Sequence, residues 1–215
     1  MGGNGYDFIL MIPILLLSIV LHEFAHAYSA KLAGDMTATR MGRLTLNPLP
    51  HIDLFGTIIF PVIAYIYRLP LIGFAKPVPV DPTQFRRPWW DIIVSLSGPF
   101  SNFSLAFIST FLLKIESIVS PGPSGILEMI LLYSIMINVV LGLFNLIPIP
   151  PLDGSHVLRY FLVRRYPQTE RYFTALEYMG FFLLTLILVF PPTRSVLGLI
   201  YTNIIYLLFQ IFGLR

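Results

Sequence analysis

Residues 6–32 read YDFILMIPILLLSIVLHEFAHAYSAKL. About 20 apolar residues cross the hydrocarbon core of a bilayer, so this run is long enough for a tilted transmembrane helix. No Lys or Arg precedes it, so a cleaved signal peptide is not expected. Near its C-terminal end it holds three ionisable residues, His22, Glu23 and His26. Ionisable groups inside a span are costly and usually functional. One stretch therefore points both to a membrane fold and to the place where chemistry is sought.

Composition agrees. Of 215 residues, 56 % are hydrophobic and 12 % charged, against roughly 45–50 % and 25 % in soluble domains. Mean hydropathy is +0.78. Disorder is excluded, and a soluble domain would lack polar surface. Without Cys there is no disulfide, no thiolate metal site and no Cys nucleophile. The net charge of +3 fits a Lys/Arg excess in cytoplasmic loops. No basic stripe interleaved with aromatics occurs, so nucleic acid is not an expected partner.

Further apolar runs cover Phe55 to Tyr67, Trp89 to Leu113, Ile126 to Ile147, about Met179 to Phe190, and Val196 to Phe212. The Phe55 run is short and contains Pro61, which suits a re-entrant element better than a crossing. Pro191 and Pro192 separate the last two runs, which read as a C-terminal helical hairpin over about 174–213. Lys31, Arg40, Arg43, Arg68, Lys76, Arg86 and Arg87 lie between the first and third runs, and Arg159, Arg164, Arg165 and Arg171 between the fourth and fifth. The positive-inside rule then places the N-terminus outside and both basic loops in the cytoplasm, provided residues 55–67 dip in and return. The expectation is an all-α polytopic membrane protein, one domain over 1–215. It has five full spans, or six as the alternative, and a short re-entrant or β element after the first helix. Its core covers about 6–160.

HEFAH, residues 22–26, is an H-E-x-x-H run. On a helix, positions i and i+4 share a face, so both imidazoles can hold one metal ion. Glu23 is about 100° round and reaches a water held there as general base. Zinc is the natural metal for imidazole and carboxylate ligands. A catalytic zinc wants a third protein ligand. Ser29 and Leu32 stand where an extended motif would need Gly and His. The remaining candidates are Asp35, His51, Asp53, Asp81, Asp91, Asp153 and His156. Asp153 stands out, because it ends the Pro-rich stretch NLIPIPPLDG at 145–154. Non-helical backbone at membrane depth is tolerated where it lines a cavity or is buried in protein. By the charge argument Asp153 and His26 lie on the same side of the membrane.

These motifs resemble the site-2 protease family of intramembrane zinc metalloproteases, which carries H-E-x-x-H and N-x-x-P-x-x-x-x-D-G. Asn145, Pro148, Asp153 and Gly154 fall at the matching positions. SGPFSN at 97–102 resembles the family's G-P-x-x-N element, and RLTLNPLPHIDLFGT at 43–57 and GFAKPVPV at 73–80 look like its compact bacterial and archaeal subgroup. The resemblance spans about residues 15–160. It implies that His22, His26 and Asp153 bind one Zn2+ per chain and that Glu23 activates the water. It places Asn102 and Asn145 near the site, orienting substrate or polarising the scissile carbonyl. The implied reaction is peptide-bond hydrolysis in or beside a transmembrane segment of a membrane protein substrate. The connection from Tyr67 to Trp89 leaves no room for the PDZ domain of many relatives, nor is there room for a CBS module, so substrate choice falls to the core, the short loops or a separate adaptor. A helix that precedes the zinc motif in some relatives is not expected. The alternating stretch Thr37 to Leu46 is expected to offer a strand edge to an extended substrate.

A second reading is a membrane metal-binding or transport protein using the same His/His/Asp set, which would have no need of Glu23 as a base. A third is a catalytically silent scaffold, which the intact motifs disfavour. His51 and Asp53 read as an interfacial loop capped by polar groups, with a gate or a fourth ligand as the alternative. His156 reads as a solvated helix-start residue or as a partner that orients Asp153. Asp91 reads as a helix N-terminal charge, Arg159, Arg164 and Arg165 as anchors to lipid phosphates, and Gly34-Asp35 as a helix stop.

Overall fold

The computed structural model describes residues 5–59, 62, 63, 66, 76–120, 122 and 125–214. The helices are α1 (Gly5–Ala33), α2 (Thr37–Arg40), α3 (Trp90–Val119), α4 (Ile126–Asn145), α5 (Asp153–Arg165), α6 (Glu170–Val189) and α7 (Pro191–Phe212). Among the described residues, four are long and apolar enough to cross a membrane: α1 from Asp7, α3, α4 and α7. The chain is a multi-pass membrane protein. The sequence pattern counted five full spans. The fifth, about Met179 to Phe190, falls in α6 (Glu170–Val189), where the side chains of 181–189 lie outside the described residues.

α1, α3 and α4 form the bundle that carries the site. α1 meets α3 through small residues: Ala30 and Ala33 are fully buried against Val94. Small side chains let membrane helices approach closely where lipid supplies no hydrophobic drive to associate. α1 meets α4 through Leu15 and Ile19 on Ile137. Near the N-terminal ends of both helices, Tyr133 Oη donates to Asp7 Oδ1 at 2.7 Å. α1 and α4 therefore run parallel, with α3 antiparallel to both. The C-terminal ends of α1 and α4 and the N-terminal end of α3 gather at one end of the bundle. α7 lays Tyr201, Ile204, Ile205 and Leu208 on a core of Ala106, Leu113, Leu131, Ile135 and Val139.

α1 stops where the sequence places its stop. Gly34 takes φ +113°, a conformation that any residue with a Cβ rarely adopts. The alternation over Thr37–Leu46 does not become a strand, and no strand occurs among the described residues. Asp35 Oδ1 accepts from Thr37 N at 2.8 Å, and Arg43 N returns to Ala38 O at 2.8 Å. These local bonds close a helical turn before any ladder can form. Of the expected re-entrant element, Leu54–Ile59 is a π-helical segment opened by Asp53, whose Oδ1 accepts from Phe55 N and Gly56 N. The rest of 55–67 lies outside the described residues, apart from 62, 63 and 66.

Candidate active site

The i, i+4 spacing puts His22 and His26 on one face of α1, turned towards α3 and the start of α5. Their Nε2 atoms are 3.0 Å apart. Asp153, the first residue of α5, closes the triangle: Oδ2 is 3.2 Å from His22 Nε2 and Oδ1 is 3.3 Å from His26 Nε2. The loop 146–152 between α4 and α5 sets this placement. Gly154 lets α5 start against it, since a Cβ there would stand 2.2 Å from Leu146 O. Gly98 of α3 makes room for the imidazoles, since a Cβ there would stand 2.3 Å from His26 Nε2 and 2.6 Å from His22 Nε2.

The donor set fits zinc. A tetrahedral ion with bonds of about 2.0–2.1 Å spaces its ligand atoms about 3.3 Å apart; the two Nε2 atoms are 3.0 Å apart, each has a different Asp153 oxygen at 3.2 or 3.3 Å, and one donor atom from each residue lies within 4.8 Å of the others. His26 Nδ1–H donates to the Val94 carbonyl at 2.7 Å, so its Nε2 presents a lone pair inwards. Asp153 Oδ2 is buried without a hydrogen-bond partner. Electron-pair donors in such contact repel unless a cation or a proton lies among them. His22, His26 and Asp153 form the metal-competent cluster found among the described residues.

Glu23 lies one position round the helix from His22. Its Oε2 accepts from Val78 N at 2.8 Å. In Pro77-Val78-Pro79 only Val78 has an N–H to give, and Glu23 receives it. Arg43 holds this segment in place. Its guanidinium is buried and donates to the carbonyls of Pro50, Lys76 and Pro77. Neither Arg43 nor Val78 was singled out from the sequence.

The other ligand candidates have different partners. Asp35 is buried and accepts from Thr37 N and Asp81 N. Asp81 caps a 3-10 turn at Pro82–Gln84, and its bonds from Thr83 and Gln84 lower its carboxyl below the ordinary range. His51 is 0 % exposed and donates from Nε2 to Thr45 O at 3.0 Å. Its backbone carbonyl also accepts from Lys76 N at 3.0 Å, so it ties the loop together from inside. His156 lines a cavity of about 600 Å³ with Asp91, Arg159 and Arg164. Arg159 does not reach out as a lipid anchor: it pairs with Glu170 and Glu177 of α6.

Asn102 and Asn145 part company. Asn102 is 0 % exposed, and its Oδ1 accepts from His22 Nδ1–H at 2.7 Å. It thus meets the back of a cluster imidazole. Asn145 donates to Leu141 O of its own helix and makes no hydrogen bond to the cluster. Asn138 was missed. It is 1 % exposed, and its Oδ1 accepts from Asn102 Nδ2 at 2.9 Å. The signal was available: it is one of two amides, with Asn145, inside the apolar run 126–147, and it lies at mid-span.

The model of peptidase family M50 matches residues 10–120 and 117–187. The chain belongs to peptidase family M50. By family it is a zinc metalloendopeptidase, and the donor set above is one that zinc takes. This M50 chain is 37 % identical over 193 residues to the Bacillus subtilis protein named "Putative zinc metalloprotease YwhC", covering 87 % of the chain and 83 % of that protein. It is 32 % identical over 184 residues to "Putative zinc metalloprotease Rip2" of Mycolicibacterium smegmatis, covering 86 % and 68 %. It is 28 % identical over 143 residues to "Putative zinc metalloprotease MJ0611" of Methanocaldococcus jannaschii, covering 66 % and 64 %. No solved structure gave a significant match.

Proposed function

We propose that this protein is an intramembrane zinc metalloendopeptidase that cleaves peptide bonds in or beside transmembrane segments of membrane protein substrates. The observation that carries the reading is the meeting of His22, His26 and Asp153 at the site-bearing end of an apolar bundle. In this reading those three residues hold the zinc. Glu23 is the base and Asn102 orients His22. Bound zinc supplies a positive charge that acidifies a water and stabilises the negative charge developing on the scissile carbonyl oxygen. Glu23 takes the proton from the attacking water and delivers it to the leaving amine. The Val78 N–H holds one oxygen of its carboxylate and leaves the other to accept from the water.

Charge bias supports an N-terminus outside and a site facing the cytoplasm, with a fifth crossing through α6 and a re-entrant element at 55–67. A helical substrate hides its carbonyls in its own hydrogen bonds, so it must unwind to be cut. The substrate is a membrane protein, and the short loops or a separate adaptor choose it.

The test uses protein reconstituted in liposomes with a single-span peptide substrate. Wild type is expected to hold about one zinc per chain. Asp153→Ala loses it and His51→Ala keeps it. Glu23→Gln keeps zinc and loses cleavage by about 10²–10⁴-fold. Cleavage by Glu23→Gln at the wild-type rate would sink the assignment of the base, and zinc retained by Asp153→Ala would sink the ligand set.

A further inference from the structure

We propose that Asn138 is a positioning residue for the metal centre: through Asn102 it dictates which nitrogen of His22 carries the proton. The inference rests on the reading of His22 as a zinc ligand. It starts from a backbone carbonyl. Inside a span every polar group must find its partner within the protein, and the order of partners here admits one solution.

Asn138 sits 2.9 Å from Ser134 O. A backbone carbonyl only accepts, so the Asn138 atom facing it is the NH2 group. The same NH2 reaches Ser18 Oγ at 2.9 Å. The carbonyl of the Asn138 amide therefore faces Asn102, where it needs a donor. Asn102 supplies its NH2 at 2.9 Å, and that NH2 also lies 3.4 Å from the Ser18 carbonyl. The Asn102 carbonyl is then left facing His22 Nδ1 at 2.7 Å. An acceptor there requires the proton on Nδ1. His22 Nε2 keeps its lone pair, and Nε2 is the atom beside Asp153 and His26.

The Ser18 carbonyl, at 3.4 Å, holds the Asn102 amide only weakly, so Asn138 at 2.9 Å is its main constraint. A flipped Asn102 would present NH2 to Nδ1 and favour the tautomer with its proton on Nε2, which cannot ligate through that atom. Asn138 forbids the flip, because the two amide carbonyls would then meet at hydrogen-bond distance. His26 needs no such relay, since the Val94 carbonyl fixes its Nδ1–H directly.

The experiment combines zinc affinity, by chelator competition in detergent, with hydrogen exchange at the imidazole N–H of 15N-histidine-labelled protein. Asn138→Leu removes both ends of the relay at similar volume. It is expected to bind zinc about 10–100-fold more weakly and to lose the slow exchange of His22 Nδ1–H. Ser18→Ala is expected to keep both, because the Ser134 carbonyl alone sets the polarity. A merely structural role for Asn138 would lower thermal stability without moving the Nδ1–H signal. Wild-type affinity and protection in folded Asn138→Leu would overturn the proposal. So would a wild-type protein, metal-free or loaded, in which His22 carries no protected Nδ1–H, a result that needs no variant to fold. A wild type with the protected proton but no zinc would sink the metal reading and leave the relay standing.

Discussion

The interface of α1, α3 and α4 and the interface that α7 makes with the same bundle differ in their buried polar content. The first buries Ser18, His22, His26, Asn102 and Asn138. The second packs partly buried apolar side chains of α7 on an aliphatic core, and Phe212 of α7 touches the exposed rings of Phe107 and Phe111 of α3. In a bilayer, apolar packing gains little over contact with lipid tails. A buried amide, by contrast, has no alternative partner in hydrocarbon. The polar interface is therefore specific in its register, and the apolar one is tolerant. Function sits where each atom is constrained by its neighbours.

The sharpest way to break this contrast is one methyl group at Gly98. Its Cβ would stand within 2.6 Å of both imidazoles, closer than side-chain contacts allow. The α1–α3 backbones leave no slack, so the rings must turn. Gly98→Ala is expected to lose zinc by at least about 100-fold, the upper range for perturbed metal surroundings, and to lose cleavage with it. Zinc content of the purified variant measures this. Wild-type zinc in Gly98→Ala would mean that the α1–α3 interface yields as readily as the α7 face.

A smaller effect is expected from the loops. Arg43→Gln frees the carbonyls of Lys76 and Pro77, so Val78 N–H is no longer held against Glu23. The ligands are untouched. Zinc content should stay at wild type while kcat falls about tenfold, a loss of about 1.4 kcal/mol of transition-state stabilisation, with KM little changed. A fall in zinc content would show instead that the loop supports the metal cluster itself.

The same contrast explains what the sequence made legible. His22, Glu23 and His26 were readable because one helix carries them at fixed spacing. Asp153 was readable because a Pro-rich break announces it, and the geometry places it with both histidines. Asn138 was overlooked because an amide does not titrate and its partner lies 36 residues away on another helix. Register between spans leaves no local pattern. Val78 was invisible for a different reason: a backbone N–H is common to nearly all residues, and only the fold decides which one meets Glu23. The strand expected at Thr37–Leu46 failed because alternation was weighed without Asp35, whose carboxylate holds the turn. Arg159 was read as a lipid anchor because its partners, Glu170 and Glu177, come from the next helix.

The smallest effect is expected from the same chemical change on the tolerant side. Gly198 lies in α7, and a Cβ there meets nothing within 4 Å. Gly198→Ala should leave zinc content and cleavage at wild type. It should hold or slightly raise thermal stability, because Gly inside a helix costs roughly 0.5–1 kcal/mol against Ala. Paired with Gly98→Ala it holds the added atom constant and varies only the surroundings. If both variants lose activity, α7 is coupled to the site through the Ala106–Ile135–Val139 core, and the apolar interface is less tolerant than its materials imply. If only Gly98→Ala does, close approach at the imidazoles is what the site requires of the fold.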